Sequence, residues 1–166
     1  NKIQIINQIP EVLNNIPIQL LAGRGIKGLL PTVIDNWVNN AYSAFGQPGG
    51  TITFTGSILE VNSRSYFVLR ATDNGPGIQT TTLLQIEARS QVVESDKKQH
   101  GTETVTAIKL FEQLVPEIEY PYRIANVDDA EGKISGCQVE LWLPLELSDN
   151  KKNTGKTILS APDIPT

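Results

Sequence analysis

The sequence predicts an α+β fold: a two-layer α/β sandwich whose mixed, mostly antiparallel sheet carries its helices on one face. Three observations carry that expectation. Short apolar runs, read as strands, fall before, between and after two stretches of helical period. Two of those runs are joined directly through a short polar turn, as in a hairpin. The elements follow the order strands, helix, strands, loop, helix, strands, with no internal repeat.

The first strands are expected at residues 3–6 and 16–21, punctuated by Pro10, Asn14, Asn15 and Pro17. A helix follows, because Ile26, Leu29, Leu30, Val33, Ile34, Trp37, Val38, Ala41, Ala44 and Phe45 recur at intervals of three and four. Pro31 fits its first turn, where no backbone donor is needed. The run Gln47-Pro48-Gly49-Gly50 ends it with turn chemistry.

Strands are then expected at 51–55, 58–61 and 66–71, the last two separated by the turn Asn62-Ser63-Arg64-Ser65. Residues 72–77 read as loop, and residues 79–101 as a polar stretch without firm period. Val105, Ile108, Phe111 and Val115, flanked by Ala107 and Leu114, mark a second amphipathic helix. Final strands are expected at 122–126 and 138–145. Residues 1–147 make one domain, and residues 148–166, rich in Lys, Asn, Thr and Pro, read as a tail or linker.

The bulk numbers fit one globular domain. The chain has 166 residues, 39% hydrophobic and 19% charged, with a formal net charge of -4. That balance gives no electrostatic case for nucleic acid, whose binders carry basic patches. No apolar run approaches the roughly 20 residues that span a bilayer. A single cysteine, Cys137, excludes an internal disulfide and is compatible with the cytoplasm. The chain begins at Asn1 and contains no Met, as expected of a piece of a longer protein or of processed material.

Two segments carry chemistry. In Ala71-Thr72-Asp73-Asn74-Gly75-Pro76-Gly77-Ile78, a carboxylate sits at a strand end, followed by glycines that let a ligand approach the backbone. Such a carboxylate accepts hydrogen bonds and can read the amino group of a base. An ordinary Asp-Asn-Gly turn is an equal reading of this segment alone. In Asp35-Asn36-Trp37-Val38-Asn39-Asn40-Ala41, Asn36 and Asn40 share one face of the first helix. Asparagine is a middling helix former, and its amide oxygen suits a hard cation such as Mg²⁺. A solvated polar face is the better reading of this segment alone.

Together and in this order, the two segments resemble the motifs of the Bergerat-fold (GHKL) ATPases, which include histidine kinases, gyrase and heat-shock chaperones. Asn36-Trp37-Val38-Asn39-Asn40-Ala41 resembles the family's N box. Asp73-Asn74-Gly75-Pro76-Gly77-Ile78 resembles its aspartate-glycine box. Gly136-Cys137-Gln138-Val139-Glu140-Leu141-Trp142-Leu143-Pro144-Leu145 resembles its closing strand. The likeness covers residues 1–147.

It implies ATP with Mg²⁺ as cofactors, with Asn40 as metal ligand and Asp73 as acceptor for the adenine amino group. Gly75, Gly77 and Ile78 would pass close to the nucleotide, and Cys137 stands where relatives often have a threonine beside adenine. Asn36 takes the catalytic position at which hydrolysing members carry a glutamate base. An amide cannot be a general base, so the resemblance narrows to histidine-kinase-like catalytic domains, which transfer phosphate to a partner.

The third, glycine-rich motif departs from the family. In His100-Gly101-Thr102-Glu103-Thr104-Val105, Gly101 and Thr102 match as nucleotide-binding residues. Glu103 and Val105 replace glycines. Ser43 replaces a phosphate-binding lysine. The polar stretch at 79–101 matches the family's lid. His100 is the only histidine, so an acceptor histidine, with any response-regulator partner, lies outside this chain, as would a homodimer contact. The rival expectation is a nucleotide-binding module with weak or no catalysis, acting in regulation or interaction.

Overall fold

The computed structural model describes residues 3–13, 26–88 and 100–145. The strand expected at 16–21, most of the lid and the tail at 148–166 fall outside the described residues. Nine elements run in the order β1 (Ile3–Asn7), a 3-10 turn (Glu11–Leu13), α1 (Ile26–Phe45), β2 (Gly50–Val61), β3 (Arg64–Asp73), α2 (Thr80–Glu87), α3 (His100–Leu114), β4 (Tyr122–Asp128) and β5 (Ile134–Leu145) among the described residues.

The strands form one sheet in the order β1-β2-β3-β5-β4. β1 runs parallel to β2, and the β2–β3, β3–β5 and β5–β4 pairs are antiparallel. This is the mixed, mostly antiparallel sheet expected. The runs at 51–55 and 58–61 belong to a single long strand, which the β2–β3 register carries unbroken from Ile52↔Asp73 to Val61↔Arg64. The hairpin turns on Asn62 and Ser63, both at positive φ (50° and 59°). Positive φ at both central residues matches the twist of the flanking strands.

Side chains alternate across a strand, so the register sorts the two faces. Ile52, Ala71, Val139 and Ile124 share the face that meets the helices, and Asp73, Cys137 and Asn126 follow at its end. On the opposite face Tyr66 meets Trp142 edge to face, with ring centres 5.8 Å apart. Arg70 there pairs with Glu140, which also accepts from the Trp142 indole N–H.

Helix α1 buries Val33, Trp37, Ala41 and Phe45, one residue per turn, against the sheet. It starts at Ile26, so Pro31 sits inside the helix rather than in its first turn, and it is exposed there. Helix α3 buries Val105, Ile108 and Phe111, with Val115 just beyond its end. The reading of residues 79–101 as a stretch without firm period is corrected at its start by α2, which covers Thr80–Glu87 and buries Ile86. No described helix is long and apolar enough to cross a membrane.

Candidate functional site

The site forms where β3 ends. Asn74 extends the pairing with β2 by one residue: its N–H donates to the Thr51 carbonyl (3.2 Å), and its Oδ1 accepts from the Thr51 N–H (2.7 Å). The chain then turns away through Gly75, Pro76 and Gly77. Asn126 of β4 holds the far end of that turn. Its Oδ1 accepts from the Ile78 N–H (2.7 Å), and its Nδ2 donates to the Ile78 carbonyl (2.8 Å).

Two glycines make this junction possible. Gly77 lies at φ +75°, and a Cβ there would stand 2.4 Å from Ile134 and 2.8 Å from Asn126 Oδ1. Gly136 of β5 passes so close to Asp73 that a Cβ would lie 1.9 Å from the Asp73 carbonyl oxygen.

The Asp73 carboxylate is thereby fixed from two sides. Its Oδ1 accepts from the Gly75 N–H (2.8 Å) and from the Cys137 N–H (3.2 Å). Its Oδ2 receives no hydrogen bond from the described residues. Burial raises the Asp73 pKa, and the two amide bonds oppose that rise by favouring the charged form. Burial, then the neighbouring Asp73, pushes the Cys137 thiol up to about 12, so it stays protonated and a poor nucleophile.

Asp73 and Cys137 face a cavity of about 180 Å³ between α1, the sheet, α2 and α3. Its floor is Ile52, Ala71, Ile124 and Val139, and α1 contributes Trp37, Asn40, Ala41 and Ala44. Gly77, Ile78, Thr82 and Ile86 form the opposite wall. Thr104 and Tyr122 complete it. The Trp37 indole N–H donates to the Tyr122 hydroxyl. The result is an apolar slot with a carboxylate at one end, a shape that takes a flat ring bearing a donor on its edge.

Of the residues singled out in the sequence, Asn40, Asp73, Gly77, Ile78 and Cys137 line this cavity. Gly75 does not line it; its amide braces Asp73 instead. Asn36 lies one turn before Asn40 on α1, half-buried and outside the lining. Gly101 and Thr102 lie in the first turn of α3. Ser43 bonds its own helix, donating to the Asn39 carbonyl at 2.9 Å. Sequence reasoning missed Tyr122, Thr104 and Asn126. Their places depend on strand pairing and helix packing across the chain: no local motif marks Tyr122 or Asn126, and Thr104 was read only as part of the altered third motif.

No described cluster of three or more His, Cys, Asp or Glu residues could hold a metal by itself. Asn40 alone offers an oxygen at the cavity's α1 side. A cation there needs further oxygen atoms, such as phosphate and water, so the donor set fits Mg²⁺ only in company with a ligand's phosphates.

No protein-family model matches the sequence, and no curated protein matches it. Solved structures do. The catalytic domain of the histidine kinase ThkA, in a nucleotide-free form, aligns with a TM-score of 0.55 and 16% identity over 86% of this chain and 79% of that one. A second nucleotide-free form of the same domain gives 0.52 and 17% identity, covering 86% and 80%. A mycobacterial sensor histidine kinase, MprB, gives 0.47 and 17% identity, covering 86% and 81%. The two ThkA alignments give the chain the histidine-kinase catalytic-domain fold, a Bergerat-type architecture, and at this identity the likeness is one of fold.

Proposed function

We propose that the chain is an ATP-binding domain of the histidine-kinase type, taking the adenine ring into the slot beside Asp73. The observation that carries this reading is the state of the Asp73 carboxylate. Two backbone amides hold Oδ1, and Oδ2 is left for a donor beside an apolar cavity. A cavity of about 180 Å³ is smaller than a whole-nucleotide site, so the base enters and the phosphates lie at the rim.

Asn40 stands on that rim side as the ligand for Mg²⁺, whose charge, when it is bound, offsets that of the transferring phosphate. Asn36, one turn away, orients the reacting end without acting as a base. Gly101 and Thr102, at the start of α3, flank the phosphates. Ile78 and Cys137 complete the enclosure of the base. The acceptor is a histidine on a partner domain, within a cytoplasmic signalling protein. Loss of nucleotide binding on Asp73→Asn, measured by calorimetry, supports this reading, and unchanged affinity contradicts it.

Two observations favour a second reading, in which nucleotide is bound and not turned over. The Ser43 hydroxyl is turned back onto α1, and residues 101–104 are wound into α3 rather than opened as a glycine loop. Both features reduce the grip on phosphate. Phosphotransfer or phosphate release that is lost on Asn40→Ala would rule this reading out.

A further inference from the structure

Tyr122 lines the cavity and is 3% exposed, less than Trp37 or Thr104 beside it. Its ring is wedged between two aromatic neighbours, edge-on to Trp37 at 5.8 Å and to Phe111 at 5.9 Å. Its hydroxyl oxygen accepts the Trp37 indole N–H. Indole nitrogen is a donor only, so this bond uses a lone pair of the phenol and leaves its hydrogen unspent. No described residue accepts that hydrogen.

A buried hydroxyl without an acceptor is costly, and buried tyrosines ordinarily find one. Tyr122 lines the cavity together with Thr104 and the apolar side chains of Ile124 and Val139. Burial also pushes the phenol's ionisation upward, so the group remains a donor throughout the neutral range.

We infer that the Tyr122 hydroxyl is a specificity-determining donor that hydrogen-bonds an unprotonated ring nitrogen of the bound base. This rests on the adenine reading and extends it. Asp73 demands a donor on the ligand, and Tyr122 demands an acceptor on the same ring. The site thus selects an amino-substituted, nitrogen-containing heterocycle rather than any flat apolar ring. The Trp37 bond occupies one lone pair of the phenol oxygen, and the O–H is left to turn to an acceptor in the cavity that Tyr122 lines.

Calorimetry with ATP and its 1-deaza, 3-deaza and 7-deaza analogues tests this. Each analogue replaces one ring nitrogen with C–H and keeps the amino group for Asp73. In the wild-type chain one analogue is expected to bind about tenfold more weakly than ATP, the scale of one buried hydrogen bond. In Tyr122→Phe, which keeps the ring, ATP weakens by a similar factor and that analogue loses nothing more.

Should Tyr122→Phe not fold, 3-fluorotyrosine at position 122, a stronger donor of nearly the same size, tightens ATP and leaves the insensitive analogue unchanged. Equal binding of ATP and all three analogues overturns the inference and leaves the adenine reading standing. Discrimination that persists in Tyr122→Phe, or that 3-fluorotyrosine leaves unmoved, overturns it as well. No binding of ATP at all overturns the adenine reading and this one with it.

Discussion

Asp73 sets stability against the nucleotide binding proposed for it. Burial raises its pKa above the value of an unfolded carboxylate, so the folded state favours the protonated form. Stability from this group is therefore greatest below the unfolded pKa and is lost as pH rises through the folded one. At neutral pH the ionised group remains a net cost, which the Gly75 and Cys137 amides reduce. Asp73→Asn is expected to melt above the wild type at pH 7, with the gap closing as pH falls into the carboxylate range. Thermal denaturation at several pH values checks this, and a variant that melts lower at pH 7 contradicts it. A residue that lowers stability while holding an acceptor ready is what a binding site requires. The sequence showed Asp73 because a carboxylate between a strand and a Gly-Pro-Gly turn is a local pattern. It did not show Tyr122, whose partners Trp37 and Phe111 come from two different helices.

The element that builds the site is the turn from β3 into α2, and it is held from outside itself. Asn126 grips both backbone groups of Ile78, and Gly136 leaves room for the Asp73 carbonyl. Gly77 carries the turn at positive φ, with no space for a methyl group. Gly77→Ala is expected to destabilise the chain by more than about 1 kcal/mol, because strain and clash add. Denaturant unfolding measures it, and a loss within about 0.5 kcal/mol would show that the turn relaxes freely. Element by element, α1, α3 and the β2–β3 hairpin were legible, since their apolar residues keep a helical period or alternate. Helix α2 was not. Thr80, Thr81 and Thr82 are poor helix formers, Leu84 is exposed, and Ile86 is its one buried residue, so tertiary packing rather than periodicity places it.

At the scale of the whole molecule, one core supports both the fold and the site. Phe111 is fully buried, packs edge-on against Tyr122, and so backs the wall of the cavity. Phe111→Ala is expected to cost about 3–5 kcal/mol, a large part of the stability of a domain this size. Urea unfolding reads this directly, and a cost below about 1 kcal/mol would mean that the core refills the space. The architecture was legible as a whole, because the order of elements limits how a sheet and two helices can pack. The proposed grip on phosphate was not, because it would depend on how residues 100–104 are wound and on a cation supplied with the ligand. The measurement that bears most directly on the central claim is calorimetric titration of the chain with a non-hydrolysable ATP analogue, with and without Mg²⁺. Saturable binding that strengthens with Mg²⁺ and loses this gain on Asn40→Ala is the predicted result. No binding at millimolar nucleotide, with or without the metal, would contradict it.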